Sequence, residues 1–186
     1  MKIAMAKLVS AAPYSQSKPV ASEKSRDETH RDFEERTWKE RCHVNNNGQV
    51  FIPPMAFKNS LSEAAKYKPV KIPGGGGKAN YTKHVEGGVL VTEPLVLPVK
   101  IDDVEGEWLF VPSDGRRGGG KRVWKCFPVI QDWEGTVAFN VFDDILDNEV
   151  FEQYLDDMGR FIGIGRFRPR NNGFYGRFSV EGVKWE

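Results

Sequence analysis

Residues 135–158 change hydrophobic period once, and that change constrains the fold more than any other feature of the chain. "GTVAFNVF" (135–142) alternates apolar and polar side chains with the period of two of a half-buried strand. After it, Asp147 or Asn148 can cap a helix and acids fill the first turn. Val150, Phe151, Tyr154, Leu155 and Met158 then recur at helical spacing as one apolar face. An amphipathic helix fed by such a strand has a sheet to cover, so the scaffold contains a sheet and is not a helical bundle. Nineteen glycines, eleven prolines and 12% aromatics agree with long shaped loops on that scaffold.

A second junction of the same kind lies upstream. In "NNNGQVFIPP" Asn47-Gly48 makes a tight turn, "QVFI" is a short strand, and Pro53-Pro54 ends it where a helix begins, because a first helical turn needs no backbone donor. "MAFKNSLSEAAKY" then places Phe57, Leu61, Ala64 and Ala65 on one face, which predicts a helix over 55–67. "KIAMAKLVSA" (2–11) reads as the first strand and "FYGRFSVEGV" as the last. "GEWLFVP" and "VWKCFPVI" flank "SDGRRGGGKR" as a hairpin-like projection. "KPVKIPGGGGKANYTKH" reads as a loop and "GGVLVTEPLVLPVKI" as extended chain. "RDETHRDFEERTWKERCHV" fits either a helix with a thin apolar stripe or a partly ordered arm.

The order strand, helix, strands, helix, strand is an α+β pattern of the ferredoxin-like, RNA-recognition-motif type, modified by long inserts. At 186 residues the expectation is one domain over 1–186, with inserts at 14–48 and 95–130. Cys42 and Cys126 give no disulfide framework and read as free thiols. With no long apolar run and no signal-peptide core, a soluble, cytoplasmic protein is expected.

A net charge of +1 does not by itself announce a nucleic-acid partner, but the charge is sorted locally. Residues 143–157 hold seven carboxylates and no base, whereas 160–177 hold five arginines and no carboxylate. The glycines at 159, 163, 165, 173 and 176 strip the backbone for a polyanion to approach its amides. Arg166, Arg168, Arg170 and Arg177 suit phosphate forks, and Phe174 or Tyr175 suits stacking on a base. Phe167 and Phe178 read as core residues, and the acidic helix as a solvated face turned away from the polyanion. A second patch, "DGRRGGGKRVWK", carries Arg116, Arg117, Lys121, Arg122 and Lys125 on a projecting tip, and the 66–83 stretch adds Lys78 and Lys83. Several phosphate contacts must act together to give useful affinity.

Catalytic signals are thin. His30, His43 and His84 have no partner at motif spacing, Cys42-His43 with His84 and Cys126 matches no zinc pattern, and "PGGGGKAN" lacks the ending of a nucleotide-phosphate loop. The expectation is therefore no enzyme, no cofactor and no metal. A metal-independent ribonuclease that uses one of these histidines is the catalytic alternative.

"VFIPPMAFKNSLSEAAKY" together with "MGRFIGIGRFRPRNNGFYGRFSV" resembles the repeat-associated (RAMP) superfamily of CRISPR-associated proteins, and within it the backbone subunit of multisubunit effector complexes. The first segment corresponds to the "IPxSSxKGxLR"-like opening of the first helix, with Pro53, Lys58 and Asn59 at matching places; the second corresponds to the glycine-rich loop after the second helix. Pro54-Met55 stands where small hydroxyl residues are usual. The resemblance implies non-catalytic, sequence-independent binding to single-stranded guide RNA, with copies of the chain side by side and other effector subunits as partners. It also implies a thumb-like role for the 95–130 hairpin and a finger or protomer contact for 14–48. A phage-borne copy acting against CRISPR systems, an interaction protein without an RNA role, and a RAMP-type endoribonuclease remain the alternatives.

Overall fold

Alternation in the first strand decides the layering. In β1 (Lys2–Ser10), Ala4, Ala6 and Leu8 are fully buried, while Lys7 points to the other side and pairs with Glu134 and Glu181 at 3.6 and 3.2 Å. The computed structural model describes every residue except Arg116, Arg117 and Gly119. After β1 come β2 (Tyr14–Ser15), α1 (His30–Thr37) with a 3-10 turn (Trp38–Arg41), β3 (Gln49–Ile52), α2 (Pro54–Tyr67), α3 (Thr82–Gly88), β4 (Val89–Leu90) and β5 (Leu95–Lys100). The chain continues through β6 (Glu105–Pro112), β7 (Arg122–Ile130), β8 (Glu134–Val141), α4 (Asn148–Asp157) with a π-helical turn (Met158–Ile162), a 3-10 turn (Pro169–Asn171) and β9 (Phe178–Trp185). The class is α+β, with antiparallel sheets and four α-helices among the described residues.

The main sheet has the order β4-β8-β1-β9, and every pairing in it is antiparallel. Ala4 faces Phe139 and Ala6 faces Val137 across β1 and β8. Phe57, Leu61, Ala64 and Ala65 of α2 share one core with Phe151, Tyr154 and Leu155 of α4 and with these strand residues. Phe151 meets Phe139 and Trp185 edge-on at 5.6 and 5.3 Å, and each fully buried ring contributes about 1.5–3 kcal/mol. Both helices thus form where their apolar period predicts, and Asp147 caps α4 by accepting from the Val150 amide.

Two smaller sheets flank this layer: β2-β7-β6 and β3-β5. The hairpin expected around the glycine-arginine tip is β6 and β7, with Phe110 opposite Trp124. Beyond the short β2, the open edge of β7 is covered by side chains. The Cys126 amide donates to Glu34 at 3.3 Å, and its carbonyl accepts from Arg41 Nε at 3.1 Å. Arg41 in turn forks onto Glu34 at 2.7 and 2.8 Å, both residues buried. The charged 26–44 stretch is therefore a helix clipped to the hairpin, started by a Thr29–Asp32 capping box.

Two expectations change, and one short strand finds its partner. The 68–84 stretch is not loop throughout, because α3 begins at Thr82. Seven residues ending in two glycines carry no periodic face, and the helix is held by tertiary bonds such as Thr82 Oγ1 to the Ala65 carbonyl at 2.9 Å. The extended 87–101 stretch divides into β4 and β5, which belong to different sheets. The "QVFI" strand pairs with β5 rather than joining the main sheet.

Candidate nucleic-acid interface

The start of α2, the β2 segment and the glycine loop enclose a cleft of about 450 Å³. Lys18, His43, Asn59, Arg166 and Arg168 line it beside Tyr14, Gln16 and Met55, and no carboxylate lines it among the described residues. Gln16 is buried and organises this mouth. Its Nε2 donates to the Phe51 carbonyl at 2.7 Å and its Oε1 accepts from the His43 amide at 2.6 Å, so the 14–18 segment and His43 are held together. Ser60 Oγ donates to the Gly163 carbonyl at 2.7 Å and ties α2 to the loop. The first turn of α2 has no capping side chain and no acid, so the positive end of its dipole faces the cleft uncompensated. Burial, then repulsion from Lys18, holds the His43 pKa below its usual 6.5.

Arg166 separates this cleft from a second one. Its Nε donates to Ser15 Oγ at 3.1 Å, and its guanidinium lies 3.9 Å over the Phe127 ring. Its buried Nη2 has no hydrogen-bond partner among the described residues; Glu107 is 3.8 Å away. Desolvation lowers its pKa. On the far side a slot of about 420 Å³ is walled by Leu109, Val111, Pro112, Phe127 and Phe167, with Ser17, Arg41, Lys125 and Arg166 around it. The two clefts share Ser17 and Arg166 and form one groove from the start of α2 to the inner face of the hairpin. No carboxylate lines either part among the described residues.

Phe167 is not the core residue its spacing suggested. It is 47% exposed and sits at φ 49°, a left-handed conformation that costs a bulky residue about 1–2 kcal/mol. The turn is held because its carbonyl accepts from the Tyr175 amide at 3.2 Å and because Gly173, whose Cβ would lie 1.7 Å from that carbonyl oxygen, has no side chain. Phe178 is buried, as expected.

The arginine loop differs from its sequence reading in three ways. Its backbone is not bare for a ligand: the amides of Gly163, Ile164, Arg166, Gly173, Tyr175 and Gly176 all donate to carbonyls of this chain. Its arginines are partly spent, since Arg168 and Arg170 both reach Glu63 of α2, at 2.6 and 3.1 Å. Tyr175 is not a stacking platform, because its ring is 7% exposed and its hydroxyl donates to Glu107. Burial and then that carboxylate push its pKa up to about 12. Phe174 is exposed but lines a different cleft, beside Glu105 and Glu107.

Lys58 is likewise used inside the fold. Its ammonium donates to Ser62 Oγ at 2.9 Å and to the Val85 and Glu86 carbonyls at 2.9 and 2.8 Å, closing the end of α3, and burial lowers its pKa. Lys78, Lys83, Lys121, Arg122 and Arg177 are exposed but do not line the groove. Arg177 Nε donates to the Arg160 carbonyl at 3.3 Å, and Arg122 lies 5.8 Å over the Phe110 ring. Arg116 and Arg117 lie outside the described residues. The acidic helix is solvated except for Asp157, which is buried and bonded to Lys68 at 2.7 Å. His84 meets Asp143 at 2.7 Å, and among the described residues no group of three His, Cys, Asp or Glu side chains suits a metal. No helix among them is long and apolar enough to cross a membrane.

Of the candidates, the fold brings Asn59, Arg166 and Arg168 together. Sequence reasoning missed Lys18 and Phe167 and gave no reason to place Lys125 with the loop rather than with the hairpin tip.

No protein-family model matches this chain, and no curated protein matches it either. Among solved structures, a chain described as "CRISPR RNA-guided surveillance complex" is similar at 12% identity with a TM-score of 0.38, over 98% of this chain and 68% of that one.

Proposed function

We propose that this protein binds single-stranded RNA through the phosphate backbone without sequence choice, performs no chemistry on it, and lines up in several copies along a guide RNA as the backbone of a CRISPR-type ribonucleoprotein. The groove carries the reading. It offers Lys18, Lys125, Arg166 and Arg168 on a concave path without a carboxylate among its described lining residues, beside the acid-free start of α2. Two further observations support it. The order β4-β8-β1-β9 in the main sheet, with α2 and α4 packed in one core with it, supports a reading of the fold as ferredoxin-like, of a modified RNA-recognition type. The segments that resemble RAMP proteins, 50–67 and 158–180, both line the first cleft, together with residues 14–19 and His43.

A gel shift with single-stranded RNA over a salt series tests the proposal. Binding at low salt that weakens steeply as salt rises is expected. Absence of binding at low salt by the purified protein ends the reading.

A second reading has its own observation. Trp108, Phe110 and Trp124 are exposed together on the outer face of the hairpin, with Phe110 and Trp124 centroids 5.3 Å apart, which suits a protein-docking role such as that of a phage-borne inhibitor. That reading expects function to survive charge reversal in the groove and to fail when Trp124 becomes Ala.

A further inference from the structure

We propose that the slot between the glycine loop and the hairpin holds one nucleobase, stacked on Phe167 and hydrogen-bonded by Arg166. This rests on the reading of the groove as an RNA path and assigns a base-binding subsite within it.

Three observations converge on it. The slot differs in chemistry from the cleft beside it: its walls are Leu109, Val111, Pro112, Phe127 and Phe167, while its cations are Arg41, Lys125 and Arg166. Bare phosphate gains nothing from apolar walls, whereas a flat heterocycle attached to a phosphate uses both parts. A volume of about 420 Å³ is within the range of small-molecule sites and ample for a single base.

Second, Phe167 is an exposed aromatic in a left-handed backbone conformation, within the slot wall. Nothing in the core needs its ring, and glycine would fit that conformation better. A bulky side chain kept there points to use of the exposed ring.

Third, the Nη2 group of Arg166 is a buried donor that makes no hydrogen bond among the described residues; it has Glu107 beside it only at 3.8 Å, an ion-pair distance beyond hydrogen-bond reach. Guanidinium nitrogens only donate, so the matching ligand atom is an acceptor such as an exocyclic carbonyl oxygen or a ring nitrogen of a base. Arg166 itself is fixed by Ser15 and Phe127, so little ordering remains to be done when a base arrives.

Fluorescence anisotropy tests this with two probes on the full chain: a labelled oligouridylate of about 12 nucleotides, and inorganic polyphosphate as a competitor that has charge but no bases. Phe167→Ala is expected to weaken oligouridylate binding by about five- to fifty-fold and to leave polyphosphate binding unchanged. Phe167→Gly should lose the same affinity while melting no lower than wild type, which separates stacking from folding. Phe167→Trp should restore binding. Equal loss on both probes, or no loss on either, overturns the slot while leaving the groove intact as a phosphate path. Failure of the wild-type chain to bind either probe at low salt overturns both readings.

Discussion

The two walls of the groove hold their cations differently. On the glycine-loop wall, Arg168 shares Glu63 with Arg170, and the Arg166 guanidinium lies 3.9 Å over the Phe127 ring with its Nε bonded to Ser15. On the facing wall, Lys18 and Lys125 line the groove and make no ion pair among the described residues. The arginine-rich segment is the more conspicuous in the sequence, yet much of its charge is consumed in joining loop, helix and hairpin. Arg41 apart, which Glu34 holds, the sparser wall has the freer charge. Counting cations along a chain therefore measures supply, and only the neighbours show how much is left for a ligand.

The largest effect is expected where a wall is built rather than where it binds. Glu34→Ala leaves Arg41 buried without its partner and strips the β7 edge at Cys126, so urea unfolding should show a loss of about 3–5 kcal/mol. A loss under 1 kcal/mol would show that α1 is not a fixed part of the hairpin wall.

The comparison itself is tested by reversing the free cations. Lys18→Glu with Lys125→Glu should weaken RNA binding about thirtyfold, roughly 2 kcal/mol, and lower the salt slope by about 2, with melting unchanged. If Glu63→Gln, which frees Arg168 and Arg170 from their acid, strengthens binding in the same assay, the account of spent charge is sharpened.

Lys58 gives the converse case. Lys58→Met leaves the Val85 and Glu86 carbonyls unserved at the end of α3, so stability should fall by about 1–2 kcal/mol while RNA affinity stays constant. A drop in affinity without loss of stability would return Lys58 to the binding surface.

The smallest effect is the pH dependence of His43. Its folded pKa lies below the usual 6.5 because burial disfavours the charged form. The unfolded chain therefore takes up the proton first, and stability declines as pH falls below about 6.5 until the folded value is passed. Bound phosphate would oppose this by favouring the imidazolium. RNA should flatten the acid side of the stability profile, and His43→Gln should remove the difference between free and bound protein.

Parts of this architecture are legible in the chain for a simple reason. α2 and α4 each expose a helical apolar stripe, and β1, β8 and the β6–β7 hairpin follow strand patterning, so local periodicity and burial agree. α3 escaped because its seven residues are held by Lys58 and Ala65 rather than by a face of their own. Of the site, Asn59, Arg166 and Arg168 were found by residue chemistry beside a helix start and a glycine loop. Lys18 lies in a polar loop with no pattern, and only the Gln16 bridge to Phe51 and His43 brings that loop to the mouth of the cleft. Phe167 was misread because alternation predicts burial only in a strand, and its backbone turns left-handed instead.

By itself the sequence determined the elements and their amphipathic faces, because those depend on residue spacing within a dozen positions. It also determined that basic residues cluster near glycine-rich turns. Tertiary structure alone decided which of those charges meet an acid, which glycines make room for a neighbouring backbone, and which aromatic is left outside. Several of those outcomes depend on residues about 100 positions or more apart, such as Glu63 with Arg168 and Ser15 with Arg166, and no local pattern encodes such distances.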